Sequence, residues 1–393
     1  MTNEVLVSRR PAAPHLEVRV YRDPAELAAI GEAWDELALG AAGRLPMLSY
    51  AWVSAHLELR QPAARPWLCL AAFAGQQLAG VLPLEERRLS VLGKTVTALR
   101  PPGDAHTRSV DAVVAPGREA EAAEAFYRAL EEAVPGWFGL EMPGVEGTSP
   151  LIAAAAAGAP ARARAAQIPA GLATVRETQG TWDEFFESSS GHFRKHYRQY
   201  GRKLAKLGTV EAEFLSGAQA HPEYLERFAR LEAAGWKGRA GSAIGADPAL
   251  TEFYRRLCAR LHARRALEWH FLRVGDTYVA GHLAVRTGRT LVLWKIGYDE
   301  AYAACSPGFL LIGEMLQRAF ADPATDAVNF VTDRTWLDSW RPEKHRYVDL
   351  WLYPRRLRSL VGGWWPRQAR QRLRETPGVK PLLRALRGKP EPQ

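Results

Sequence analysis

The stretch Trp294–Leu311, WKIGYDEAYAACSPGFLL, decides how the rest of the chain is read. A β-type run from Thr290 to Ile296 ends at Gly297, a loop follows, and Ser306-Pro307-Gly308 opens an apolar helix to about Phe320. Proline suits a first helical turn, where its missing N–H would have had no partner. Ser306 is the expected N-cap, its hydroxyl accepting from first-turn amides, and Gly308 lets a ligand approach the backbone. Strand, loop and helix start leave several amides and a positive dipole end together. That is an anion site suited to a pyrophosphate, or no more than a helix start.

Working outward, the flanking pattern repeats. Leu16–Tyr21 alternates as a strand, two helices follow, and Trp67–Phe73 and Leu78–Leu84 form a hairpin over Gly75. In the second half Val210–Leu215 is a strand, Glu223–Ala234 and Pro248–Arg264 are helices, and Glu268–Val274 and Tyr278–Arg286 form a hairpin over Gly275. The segment from Gly75 to Leu82 matches that from Gly275 to Leu283 with one inserted residue, which points to duplication. The expected fold is α/β, a mixed α+β sheet in two similar lobes. Boundaries fall at 1–15 for a mobile lead-in, 16–170 and 171–354 for the lobes, and 355–393 for a tail. The Ala/Gly/Pro-rich run from Ala153 to Gly171 reads as the junction.

The whole formal charge of +9 resides in that tail, where eleven Lys and Arg face Glu375 and Glu391. The first 354 residues balance, which argues against a nucleic-acid partner. Trp364-Trp365-Pro366 ahead of the arginines fits contact with an anionic membrane surface, or a disordered end. No apolar run is long enough to span a bilayer, and no secretory leader is legible, so the expected location is the cytoplasm, with a membrane-peripheral tail as the variant. Cys69, Cys258 and Cys305 lie too far apart for a metal cluster and read as small buried hydrophobes; no metal is expected.

No phosphate-binding Gly-Lys-Ser/Thr loop, His-Glu-x-x-His or Gly-x-Ser-x-Gly occurs. Three blocks carry the functional signal instead. Leu231-Glu232-Ala233-Ala234-Gly235-Trp236-Lys237-Gly238 precedes Gly241-Ser242-Ala243-Ile244. Lys295, Tyr298, Asp299, Tyr302, Ser306, Pro307, Gly308, Leu310 and Leu311 form the second, and a basic helix from Arg194 to Lys206 the third. Together, over Thr181 to Tyr353, these resemble the CelD/BcsL-type acyltransferase family of the GNAT superfamily. The chain departs from its pattern at Asn329-Phe330-Val331-Thr332-Asp333 and at Trp336 and Trp340, which touches the catalytic assignment more than the fold.

The resemblance implies two GNAT-like lobes and an acyl-CoA (acetyl-CoA) co-substrate. Its pantetheine would lie between splayed strands at Thr290–Ile296 and Ala327–Val331, and its pyrophosphate on Ser306, Pro307, Gly308, Phe309 and Leu310. Lys295 would join that cofactor site, and Gly297 would mark a bulge whose N–H polarises the thioester. An amine of a small molecule, sugar or envelope precursor would attack directly. Glu232 reads as a base or a solvated carboxylate, and Lys237 with Trp236 as substrate contacts or a helix end. Asp333 would orient an amine or start a turn; Tyr298 would protonate the leaving thiolate or pack. Arg198 and Trp340 complete the expected acceptor contacts. His282 reads as a satisfied sheet residue. Two other readings stand: a Fem-like aminoacyl-tRNA-dependent ligase, against which no sustained heptad arm is legible, and a non-catalytic accessory protein of polysaccharide biosynthesis.

Overall fold

Gly75 and Gly275 both turn their hairpins with positive φ, +64° and +54°, and around each the chain builds the same half-sheet. The computed structural model describes residues 15–375 apart from 41–44, 63, 105 and 108–110. Its strands are β1 (Glu17–Tyr21), β2 (Trp67–Ala74), β3 (Gln77–Val91), β4 (Lys94–Arg100), β5 (Val113–Val114), β6 (Leu140–Glu146) and β7 (Ala163–Glu177). They continue with β8 (Val210–Ser216), β9 (Leu267–Val274), β10 (Thr277–Thr287), β11 (Thr290–Tyr298), β12 (Ala327–Asn329) and β13 (Glu343–Pro354). One mixed sheet runs β1-β2-β3-β4-β6-β13-β7-β12-β11-β10-β9-β8, with β5 on the side of β3.

Read from its centre, that order is a palindrome. Each lobe has four antiparallel strands, then a parallel neighbour (β4 with β6, β11 with β12), then an antiparallel one (β13 or β7). The helices repeat too. Gly31–Leu39 and Tyr50–Leu59 lie between β1 and β2, Tyr224–Ala233 and Pro248–Ala263 between β8 and β9. Glu119–Ala133 leads into β6 as Pro307–Ala321 leads into β12, and each start carries a Pro-Gly pair, Pro116-Gly117 just before the first helix and Pro307-Gly308 opening the second. The fold is therefore the expected mixed α/β one with two like halves.

The junction is built into the sheet. Ala163–Gly171 is no linker but the first half of β7, which pairs with β13 from Pro354 opposite Ala163 to Glu343 opposite Val175. The alanines there fill a central strand, where small side chains let Trp351 and Tyr353 pack over them. β13 sits against β6 of the first lobe and β7 against β12 of the second, so the strand that follows β6 in sequence closes the second lobe and the strand that follows β12 closes the first. Helix pairs from both lobes share one core around Trp34, Trp52, Phe228, Phe253 and Trp269.

Part of the expected tail is also built in. The helix Trp365–Glu375 follows a turn in which the Trp364 indole donates to the Ala165 carbonyl at 3.0 Å, and the Arg367 guanidinium lies 3.3 Å from the Trp351 ring centroid. Trp364 therefore anchors the chain to the sheet, while Trp365 is exposed. The lead-in at 1–14 and the basic run after 375 lie outside the described residues. All three cysteines are buried, as expected. The basic helix ends at Ala205, one residue short of the expected Lys206, and Leu207 beyond it is exposed. His282 is buried in β10, but neither ring nitrogen has a partner among the described residues. Burial, with His270 alongside, holds its pKa well below the usual imidazole value.

Candidate active site

β11 and β12 run parallel only from Thr290 opposite Ala327 to Val292 opposite Asn329. Asn329 ends the pairing by accepting the Val331 N–H on its own side chain at 2.8 Å, and Val331 adopts a left-handed φ of +62°. The chain then peels away into the turn of helix Thr335–Trp340. From Leu293 onward β11 bonds to β10 on one side and has no strand on the other. The extra residue of the β10–β11 ladder is Trp294, between Leu283 opposite Lys295 and Ala284 opposite Leu293. This corrects the expectation for Gly297, which lies inside the strand opposite Gly281. Its missing side chain admits the next helix: a Cβ there would stand 3.1 Å from the backbone of Glu232.

At the start of the helix Pro307–Ala321 the expected serine cap is absent. Ser306 has φ +46° and makes no side-chain cap bond, because a left-handed residue lacks the extended geometry from which a hydroxyl reaches the first turn. Leu310 N–H finds the Ser306 carbonyl at 3.1 Å; the amides of Gly308 and Phe309 stay open at the positive end of the dipole. They face a cavity of about 810 Å³ whose walls include Tyr200, His196, Ile296, Tyr298 and Trp336. The Tyr298 ring lies flush against Gly308, where a Cβ would sit 3.5 Å away.

A second cavity of about 240 Å³ opens towards the helix Tyr224–Ala233, and both share Trp236, Ile296, Tyr298 and Trp336. Its floor is a buried charge cluster. Lys237 Nζ donates to Glu232 Oε1 at 2.8 Å and to the Ile296 carbonyl at 3.1 Å; Lys295 Nζ reaches the same Oε1 at 3.3 Å. Ile244 N–H donates to Oε2 at 2.8 Å. Glu232 is 1% exposed, so the solvated-carboxylate reading fails. Burial alone would raise its pKa, but Lys295 and Lys237 outweigh it and hold the carboxyl below its ordinary value. Burial also pushes the Lys295 ammonium down, against the pull of Glu232.

The first lobe packs behind the wall that Trp294 and Lys295 form, and none of its described residues lines either cavity. Trp52 packs edge-on to Trp294 at 4.8 Å and donates to Thr107 Oγ1 at 3.2 Å. Asp104 is pinned by Arg60 Nε at 2.9 Å, and Arg60 also reaches Asp247 of the second lobe at 3.3 Å. That loop sets the His106 ring against Tyr254, whose face also meets Lys295 Nζ at 5.1 Å. Burial, then the charge of Lys295, lowers the His106 pKa. Sequence reasoning named none of Tyr254, His106 or Arg334, and met Trp336 only as a departure from the family pattern. The Pro101-Pro102-Gly103-Asp104 loop was the one available signal, and nothing local shows that it crosses to the other lobe.

The cleft gathers Glu232, Lys237, Lys295, Trp236 and Tyr298 along its walls, with Ser306, Gly308 and Phe309 at its other end. Pro307 and Leu310 are buried in the first helical turn. Lys295 lies on the Glu232 side of β11 rather than beside the open amides. Asp333 is exposed and lines neither cavity. Arg198 borders a separate hollow, near Glu187 and over the Phe186 ring. Trp340 is fully buried between Phe193 and Phe309 and supports the helix start from beneath.

Residues 191–336 match the family described as acetyltransferase (GNAT) domain, so this span carries a GNAT-type transferase domain. No curated protein matches the chain. Among solved structures, FemX is similar at 12% identity with a TM-score of 0.57, over 86% of this chain and 97% of that one. A conserved protein of unknown function from Bacteroides thetaiotaomicron VPI-5482 is similar at 15% identity and 0.49, over 83% and 97%. A tandem GNAT protein from the clavulanic acid biosynthesis pathway is similar at 15% and 0.42, over 86% and 98%. The FemX likeness speaks to the fold, across both lobes.

Proposed function

We propose that the chain is an acyl-CoA-dependent N-acyltransferase of the CelD/BcsL kind, moving an acetyl or related acyl group to an amine of a small molecule, sugar or envelope precursor. The observation that carries this reading is the unpaired edge of β11 beyond Val292, lying next to the open amides of Gly308 and Phe309. An extended pantetheine arm can bond to such an edge as an added strand, while the diphosphate accepts from the helix start. The larger cavity has room for that arm, and the thioester would reach the constriction between Trp236 and Trp336. There an uncharged amine nitrogen attacks the carbonyl carbon, the C–S bond breaks, the Tyr298 hydroxyl gives its proton to the departing thiolate, and the tyrosinate so formed takes the proton that the amine nitrogen sheds. Glu232 has both oxygens engaged and is held ionised; in this reading it fixes Lys237 and Lys295 rather than taking the amine proton.

Titration calorimetry with acetyl-CoA tests the proposal. Gly308→Glu places a carboxylate among the open amides, where a helix start tolerates it, so affinity should fall at least tenfold with the melting temperature unchanged or higher. Absence of heat in the parent protein, with no protection of Ser306 to Leu310 from hydrogen exchange, would overturn it. Exposed Lys195, Arg202, Lys203 and Lys206 on or just after the helix Gly191–Ala205 favour one alternative, an aminoacyl-tRNA donor. Tight, salt-sensitive retention of charged tRNA on filters would select it.

A further inference from the structure

The smaller cavity carries more positive charge than its own residues neutralise. Lys237 and Lys295 have side chains only 19% and 10% exposed, and both ammoniums share the single oxygen Oε1 of Glu232. The other oxygen is spent on Ile244 N–H. Lys237 completes its contacts with the Ile296 carbonyl. Among the described residues Lys295 has only the long 3.3 Å bond and the face of Tyr254, although an ammonium offers three donors. Two largely covered cations thus stand against one anion, with Arg334 as a third cation at the rim and Leu293, Ile296 and Phe330 as apolar walls. Buried charge without a counter-charge is costly, and the cost is relieved by whatever anion enters.

We infer that this cavity reads an acidic group, so that the acceptor is an amine which also bears a carboxylate or a phosphate, held by Lys295, Lys237 and Arg334. The assignment of the cavity to the acceptor rests on the transferase reading. Acyl-CoA phosphates would lie on the other side of β11, at Gly308, which leaves Lys295 for the second substrate. The volume of about 240 Å³ matches on the order of eight waters, room for the amine-bearing head of an amino acid or sugar phosphate but not for a macromolecule. Trp236 and Trp336, 54% and 43% exposed, flank the mouth through which the rest of the acceptor would extend.

Calorimetric titrations at fixed ionic strength, using probe pairs that differ only in the acidic group, test this. Glycine is compared with glycinamide, and glucosamine 6-phosphate with glucosamine, so the two arms separate carboxylate from phosphate. In at least one pair the acidic member should bind ten times more tightly than its neutral twin. Lys295→Met should erase that preference, and Arg334→Gln, at an exposed position, should reduce it at least threefold. If Lys295→Met does not fold by circular dichroism, Arg334→Gln alone decides. Equal affinities within both pairs, no binding by any acidic probe, or a preference that survives the substitutions would overturn the inference. Acetyl-CoA is titrated in the same series. Its failure to bind beside a clear acid preference removes the transferase reading and leaves the anion pocket standing; its binding without that preference removes the pocket alone.

Discussion

Replacing Glu232 by glutamine keeps the shape of the cluster and removes its only negative charge. Two ammoniums would then share a buried site with no counter-ion. The amide also has a donor end, which must face either Ile244 N–H or the lysines, so one hydrogen bond is lost in the first orientation and two in the second. Breaking a buried pair by removing one partner costs about 3–5 kcal/mol, a shift of roughly two to three and a half decades in the unfolding constant. The loss should depend on pH. Lys295 already has a folded pKa below its unfolded one, and without Glu232 it falls further. Between those two values the unfolded chain binds more protons, so stability rises with pH across that window. Urea unfolding followed by tryptophan fluorescence at pH 7 and pH 9 reads both effects: a large deficit at pH 7, partly recovered at pH 9. A deficit below about 1 kcal/mol, well under the buried-pair range, or one independent of pH, would refute the idea that Glu232 is an ionised counter-charge.

Glu146 gives the opposite sign. Burial, with little relief from the Tyr347 hydroxyl and with the Asp111 charge adding, pushes its carboxyl up to about 7. The folded state therefore binds the extra proton between the unfolded value and 7, and stability falls as pH rises through that window. Glu146→Gln should raise stability at pH 8 by about 1–3 kcal/mol and change it little at pH 4, read from melting temperatures. Gly297→Ala drives a methyl against the Glu232 backbone and should cost about 1–3 kcal/mol in urea unfolding, with turnover reduced. Calorimetry should return one acetyl-CoA per chain. The matching helix start of the first lobe is filled by its own carboxylates, Glu119 accepting from Gly117 N–H and Glu121 from Leu16 N–H, both at 3.0 Å.

What could be read from the sequence was whatever depends on local pattern. The twin hairpins, the paired helices and the Pro-Gly helix start all follow from turn chemistry and periodicity, and they lie where those rules put them. The misreadings share one cause, contact between segments distant along the chain. Ala163–Gly171 has linker composition and becomes a central strand only because β13 returns beside it. Glu232 looked like a surface carboxylate because Lys295, which buries it, is on a strand far downstream. Trp340 looked available to substrate until Phe193 and Phe309 closed over it. The bulge was assigned to Gly297 for its flexibility, whereas register places it at Trp294 and close helix approach explains the glycine.

The exchange of β7 and β13 bears on how a substrate enters. Ordinary two-lobed enzymes open by hinging at a linker, but here the connection between lobes is a long antiparallel pair in the middle of one sheet. Separating the lobes would break that ladder, tear Trp52 from Trp294 and unpair Arg260 and Arg264 from Glu58 and Asp35 across the interface. Each contact is individually modest, but all would have to yield at once. Access must therefore come from what the sheet does not fix: the turn carrying Trp336, released from β12 after Asn329, and the short helix Trp236–Arg239 opposite it. Those two segments carry the exposed tryptophans where the cavities meet, so on the proposed reading the same pair of side chains would be both the doorway and the sides of the reaction site.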